Sequence, residues 1–338
     1  MITPTSESEE RGMLKKWAAL VLASLMATAS FGAQAQTWPS RTVTMIVPFA
    51  PGGPTDVVGR ILAQRLSDIL KQQVIIENVS GAGGMAGAQR IAQATPDGYQ
   101  VLLGTVGTQA YSQTLYKKPL YNSLTDFTPV VLVAEQPLVL VVRKDFPAST
   151  LKEFTAYVKA NTSKLSFGSG GSGSATHLGC LLLNSAIGAD VQHVPYRGSA
   201  PALQDMIGGR IDYLCDAVST ELSAIKAGSV KAIAVLAAQR SPVLLDVPTA
   251  QQEGLKGFEA NNWIALFFPP KTPEAIVDRL RAATIEAMKT PALRAQLEAI
   301  GTDLVSPDRT SSIYLRNFVA SEVKKWADPI KASGVSAD

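Results

Sequence analysis

Residues 42–56 read TVTMIVPFAPGGPTD, and the change of character along them decides the fold. Thr42 to Phe49 is an almost continuous apolar run, as expected of a strand buried on both faces of a covered sheet. Ala50-Pro51-Gly52-Gly53-Pro54 stops it. Val57, Val58, Ile61, Leu62, Leu66, Ile69 and Leu70 then recur at helical spacing behind Thr55-Asp56, a helix-opening pair. The unit is strand, glycine-rich loop, helix.

The same unit repeats outward from there. Val74–Ile76 is the next strand, Ser80–Gly84 a loop, Met85–Ala94 a helix, and Tyr99–Gly104 a third strand. Two long apolar strands follow, Pro129–Ala134 and Leu138–Val142. Thr150-Leu151-Lys152-Glu153 is a capping box for a helix to Ala160. The alternation then restarts with strands at Leu165–Phe167, Val191–Pro195, Arg210–Cys215 and Lys231–Ala237. The helices between them are expected at Ala175–Ile187, Ser199–Ile207 and Ser219–Ala227. Asn262–Phe268 is one more strand, and the rest reads as helices at Pro273–Lys289, Pro291–Ile300 and Thr310 to about Ala332. This pattern makes an α/β fold of two units, each a mainly parallel sheet flanked by helices. The first takes residues 36–141 and 261–338, and the second, 142–260, is inserted into it. The connections near 138–143 and 258–264 are expected to act as a hinge, with a closing cleft between the lobes.

In such sheets ligands sit beyond the carboxyl ends of the strands. The loops expected there are Ala50–Asp56, Ser80–Gly84, Gly104–Gln109, Gly168–His177 and Tyr196–Ala200. Glycine lets a guest approach the backbone, and a helix N-terminus offers free N–H groups with partial positive charge. Thr105, Thr108, Ser172, Ser174 and Thr176 add hydroxyls. The natural guest is an anion, most simply a carboxylate.

The chain has 338 residues, 46% of them hydrophobic, with 31 Lys and Arg against 28 acidic residues. It is long and apolar enough for large cores, and a net charge of +3 is too small for a nucleic-acid footprint. Near the N-terminus, Lys15-Lys16, the apolar run Trp17–Met26 and Ala33-Gln34-Ala35 form a secretory signal pattern, cut after Ala35. Met13 is an alternative start to Met1. The mature product is expected to be exported and periplasmic. Export and an even count favour a bridge between Cys180, on a helix, and Cys215, at a strand end; two separate buried thiols are the alternative.

Other chemistries find little support. Gly168–Gly173 spells GxGxxG, but the next strand ends in Tyr196 and Arg197 rather than an acid, so no dinucleotide cofactor is expected. No Ser has the glycines of a nucleophile elbow, which leaves Ser174 and His177 as a remote hydrolase alternative. His193 reads as a core histidine. Asp212 and Asp216 lack a third ligand, so no metal is expected, and Glu221 is expected on a solvated face.

Together VPFAPGGPTDVVGR, NVSGAGGMAGAQR, PDGYQVLLGT, FGSGGSGSATHLG and HVPYRGSAPALQDMIGGRIDY resemble the Bug family. These TctC-like proteins are extracytoplasmic solute-binding receptors of tripartite tricarboxylate transporters. The resemblance implies a two-lobe type II periplasmic-binding-protein fold, no enzymatic activity, a small organic acid as ligand and membrane permease subunits as partners, with the receptor itself a monomer; a ligand sensor for a membrane signalling protein on the same fold is the alternative. Carried over by motif, the first-lobe clamp is Ala50, Pro51, Gly52, Gly53, Thr55 and Asp56, with Thr105, Thr108 and Gln109 on the same wall. The second-lobe clamp is Ser169, Ser172, Gly173, Ser174 and Thr176, beside Tyr196 and Arg197. Asp216 and Ser219 fall where the family places distal, specificity-setting residues. Asp56 is either a helix cap or a selector for an ammonium group. Against the family background, the Cys180/Cys215 pair suggests a bridge from the second-lobe helix to a cleft-side strand.

Overall fold

The structure is a computed structural model that describes Trp17 and residues 38–334. The expected signal segment, including the cut after Ala35, lies outside the described residues apart from Trp17. The chain divides into two compact units, Met1–Ser40 and Arg41–Asp338. Of the first only Trp17 and Trp38–Ser40 are described, and the fold below is that of the second.

Its strands are β1 (Val43–Val47), β2 (Val74–Asn78), β3 (Gln100–Thr105), β4 (Thr128–Arg143), β5 (Ser166–Ser169), β6 (Gln192–Pro195), β7 (Tyr213–Ala217), β8 (Val230–Val235), β9 (Asn261–Phe268) and β10 (Asp303–Leu304). They follow the order β2-β1-β3-β9-β4-β7-β5-β6, with β8 and β10 also paired to β4. Each end of this order is a parallel triplet, β2-β1-β3 and β6-β5-β7. The centre is antiparallel: β9 runs against β3 and β4, and β4 runs against β7, β8 and β10. The architecture is a mixed sheet in two halves, flanked by helices.

One strand joins the halves. β4 pairs with β9 from Thr128 to Pro137, then with β7 from Leu138 onward. The strands expected at 129–134 and 138–142 are therefore a single strand. Glu135-Gln136-Pro137 reads as a break because it is polar and ends in proline. Pro137 is tolerated because one ladder ends there and the next begins. Beyond it, alternation puts Leu138, Leu140 and Val142 into one apolar core and Val139 and Val141 into another on the opposite face. In the other half, Val43, Met45, Ile46 and Val47 are all fully buried, as a strand covered on both faces requires. The helix Pro54–Leu70 lays Val58, Leu62 and Leu66 inward. Trp263 of β9 and Trp326 of the helix Ser312–Ala332 both donate to Glu322 at 3.0 Å, fastening that helix to the sheet.

Candidate functional site

Three helices begin at one place. Pro54–Leu70 starts after β1, Ala175–Ile187 after β5 and Ser199–Ile207 after β6. The first belongs to one half of the sheet and the other two to the other half. Their first turns meet Phe49, Thr105, Gly170 and Asn262 around one small cavity, lined also by Gly53, Pro54, Thr55, Ser174, Ala175, Thr176 and Ser199. First-turn N–H groups have no acceptor within their own helix, and each helix adds roughly half a positive charge at its start. Such N–H groups and hydroxyls can hold negative charge, and no Lys or Arg lines the cavity.

The loops are held in shape from behind. Asp56 is 2% exposed and does not face the cavity. It accepts from Gly52 N at 2.9 Å, from Asn78 Nδ2 at 2.8 Å and from Arg60 at 2.8 and 3.0 Å. Burial alone would raise its carboxyl, but the Arg60 bond, the Gly52 amide and Asn78 together hold it below the ordinary range. The helix N-cap is Gly53, with no side-chain cap bond, so Asp56 is not the N-cap expected from the sequence but a first-turn brace on the loop. In the second half, Ser174 caps its helix by accepting from His177 N at 3.2 Å and lies 3.0 Å from Thr176 Oγ1. Thr176 Oγ1 in turn accepts from Gly170 N at 2.8 Å. Ser169 Oγ bridges His193 Nε2 at 2.7 Å and Gly171 N at 3.1 Å.

The two histidines lie under this loop with rings 4.0 Å apart. Burial, and for His177 also the neighbouring His193, push them down to about 3 for His177 and about 4 for His193. His177 Nδ1 accepts from Gly173 N at 3.2 Å, so its ring is engaged with the backbone and not with the Ser174 hydroxyl. The geometry is that of a loop support rather than of a nucleophile and its base.

Other expected site residues lie around the cavity rather than on it. Pro51 and Gly52 are exposed, and Ala50 N donates to the Arg197 carbonyl at 3.0 Å, linking the halves at the rim. Arg197 takes part through that carbonyl and its residue is exposed. Tyr196 Oη donates to Asp205 at 2.8 Å. The Ser172 carbonyl accepts from Tyr116 Oη at 2.8 Å, a second link across. At the Gly83 and Gly107 positions the halves touch backbone to backbone: an added Cβ would lie 1.9 Å from Ser172 O and 2.8 Å from Gly173 O, respectively. Thr108 Oγ1 accepts from Thr105 N at 2.9 Å and donates to Thr105 O at 3.1 Å. Gln109 is fully buried with neither amide atom partnered. Ser219 accepts from Gln136 Nε2 at 3.0 Å.

Asp216 is fully buried; its Oδ1 accepts from its neighbour Ala217 N at 2.7 Å and its Oδ2 has no hydrogen-bond partner. Glu221 is not solvated as expected from the sequence. It is 0% exposed, with both carboxyl oxygens unpartnered. Burial first, and Asp216 second, push Glu221 well above the ordinary range, while burial raises Asp216 to about 6. In the unfolded chain these groups ionise near the usual carboxyl values, so the folded state binds more protons and loses stability as pH rises through about 6. Glu221→Gln is therefore expected to melt a few degrees above the wild type at pH 8 and level with it near pH 4, followed by circular dichroism. Equal melting temperatures at both pH values would show that Glu221 ionises freely.

Cys180 and Cys215 form a disulfide, with Cα atoms 5.1 Å apart. It ties the helix Ala175–Ile187 to β7. Among the described residues no helix is long and apolar enough to cross a membrane, and no group of three or more His, Cys, Asp or Glu could hold a metal ion.

Five residues of the cavity lay inside loops read from the sequence or beside them without being singled out: Phe49, Pro54, Gly170, Ala175 and Ser199. Asn262 was read only as the start of a strand. No motif marks it, because its position depends on how β9 meets β4.

Residues 58–335 match a family described as the tripartite tricarboxylate transporter family receptor. A protein of Agrobacterium vitis, from the TAR-I ttuE-ttuC' intergenic region, is 41% identical over 303 residues, covering 89% of this chain and 87% of its own. BugT of Bordetella pertussis is 34% identical over 319 residues, covering 93% and 96%. Among solved structures, the periplasmic binding protein BugD superposes with a TM-score of 0.86 at 37% identity, covering 88% of this chain and 99% of its own. MatC of Rhodopseudomonas palustris with bound malate gives 0.84 at 41% identity, covering 87% and 100%. An R. palustris protein with adipate gives 0.84 at 32% identity, covering 88% and 99%.

Proposed function

The chain belongs to the tripartite tricarboxylate transporter receptor family, whose members are periplasmic solute-binding proteins, and from that premise we propose that it captures a small organic carboxylate between its two halves and delivers it to a membrane permease. The observation that carries this reading is the meeting of three helix N-termini, drawn from both halves, on one cavity.

The carboxylate docks on first-turn N–H groups near Thr55, Ala175 and Thr176, aided by the hydroxyls of Ser174 and Ser199. These dipoles are fixed by the covalent frame and by the supports behind them, so they need little reorganisation when the anion arrives. Contacts from both halves exist together only when the halves meet, so the ligand shifts the population toward closure. The halves are residues 36–141 with 261–338, and residues 142–260. The hinge lies in the two stretches that pass between them, one within β4 and one before β9. The closed shape is what the permease reads. The protein works in the periplasm as a monomer, after removal of a leader ending at Ala35.

A melting-temperature screen of small mono- and dicarboxylates tests this. Malate and adipate come first because related proteins hold them. A ligand at about 100 times its Kd stabilises by about 2.7 kcal/mol. A clear upward shift is expected for at least one carboxylate, and it should be lost in a Ser174→Ala/Thr176→Val variant. A flat screen, or an undiminished shift in that variant, would overturn the reading.

A further inference from the structure

The cavity carries one polar group that an anion alone does not satisfy. Asn262 lines it and is 3% exposed. Its Nδ2 donates to Gln136 Oε1 at 2.9 Å. Gln136 is itself fully buried, and its Nε2 points to Ser219 Oγ at 3.0 Å, Thr302 Oγ1 at 3.3 Å and the Pro54 carbonyl at 3.5 Å. A carbonyl only accepts, so this contact fixes which end of the Gln136 amide faces Pro54. Gln136 Oε1 must then face Asn262, and Asn262 must meet it with its NH2. Asn262 Oδ1 is left buried without a hydrogen-bond partner.

An unpaired amide oxygen beside a carboxylate is unfavourable, because two acceptors confront each other across a water-poor space. It becomes favourable when the guest places a donor between them. We propose that Asn262 is a specificity-determining residue whose Oδ1 accepts a hydrogen bond from a donor on the bound carboxylate, so that the preferred ligands are hydroxy- or amino-carboxylates rather than their unsubstituted analogues. Gln136 is the positioning residue that turns the Asn262 amide. This deepens the receptor reading and rests on it.

The test is calorimetric titration with matched pairs that differ only in the donor: malate and succinate, 2-hydroxyadipate and adipate, lactate and propionate. Aspartate is added to separate an ammonium from a hydroxyl. In the wild type at least one donor-bearing member binds about 10-fold more tightly than its unsubstituted partner, the size of one neutral hydrogen bond. In Asn262→Leu that preference shrinks to within about 3-fold, with the unsubstituted partner bound at least as well as before. If Leu disturbs folding, as judged by the melting temperature without ligand, Asn262→Ala serves in its place. Tighter binding of aspartate than of malate identifies the donor as an ammonium, and the reverse identifies it as a hydroxyl. Unsubstituted members that bind the wild type as tightly as substituted ones, or a preference that survives both variants, overturn the assignment of Asn262 while leaving the receptor reading intact. Failure of every carboxylate to bind removes both.

Discussion

Gly83→Ala is expected to weaken carboxylate binding on the order of 100-fold while leaving the fold intact. Gly83 has φ +62°, in the left-handed region, and an added Cβ would lie 1.9 Å from the Ser172 carbonyl oxygen in the opposite half. No side-chain adjustment relieves a clash with backbone, so the halves must stay apart. The ligand then keeps contacts from one half only. The left-handed φ adds a local cost of about 1 kcal/mol that is independent of closure. Gly107→Ala separates the two effects. Its Cβ would lie 2.8 Å from Gly173 O, again across the halves, and its φ is not in the left-handed region. It should lower affinity by about 10-fold with little change in melting temperature. Calorimetry on both variants, beside their melting curves, checks this. Wild-type affinity in Gly83→Ala would mean that the halves need not meet to hold the ligand.

Removing the disulfide is expected to cost about 4 kcal/mol of stability. The bridge joins residues 35 apart in sequence, and a loop of that length loses that much unfolded-state entropy in the chain-entropy account. Both cysteines are fully buried in the same apolar core as Leu140, Phe167 and Leu183, so alanine is the appropriate replacement. Urea denaturation of Cys180→Ala/Cys215→Ala should show a lower midpoint. A change under about 1 kcal/mol would show that the core alone fixes the helix Ala175–Ile187 to β7. The bridge also stands between the Ser174 helix start and Asp216, so the double variant should bind carboxylates less tightly when it is still folded.

The loops of the site were legible because the chain marks them twice, by composition and by position. An apolar strand, a glycine cluster and a helix-period run leave few alternatives, and β1, β5 and β6 lie close to where that pattern puts them. Of the capping box at Thr150 the cap itself is present, Glu153 N donating to Thr150 Oγ1 at 3.2 Å, while the Glu153 carboxylate accepts from Ser149 N, one residue before the cap, at 2.8 Å. What the sequence hides is set by contacts between distant segments. Whether Glu135-Gln136-Pro137 ends a strand depends on β9 lying beside it. On a helical wheel Glu221 falls beside Ile225 at the edge of the face made by Val218, Leu222 and Ile225, so the period alone leaves it at a boundary. Its charge argued for solvent. Arg197 drew attention as a cation near the loops; its residue is exposed, and its carbonyl accepts from Ala50 N across the halves. Asn262 is invisible locally because its role comes from Gln136, 126 residues away.

The most direct test of the whole account is a crystal structure of the protein grown with the carboxylate that gives the largest melting shift. The account predicts one carboxylate of the ligand within hydrogen-bond distance of the first-turn amides of Thr55 and of Ala175 or Thr176, with both halves in contact around it. A ligand bound outside the cavity, or held inside it by side-chain cations with those amides turned away, would contradict it.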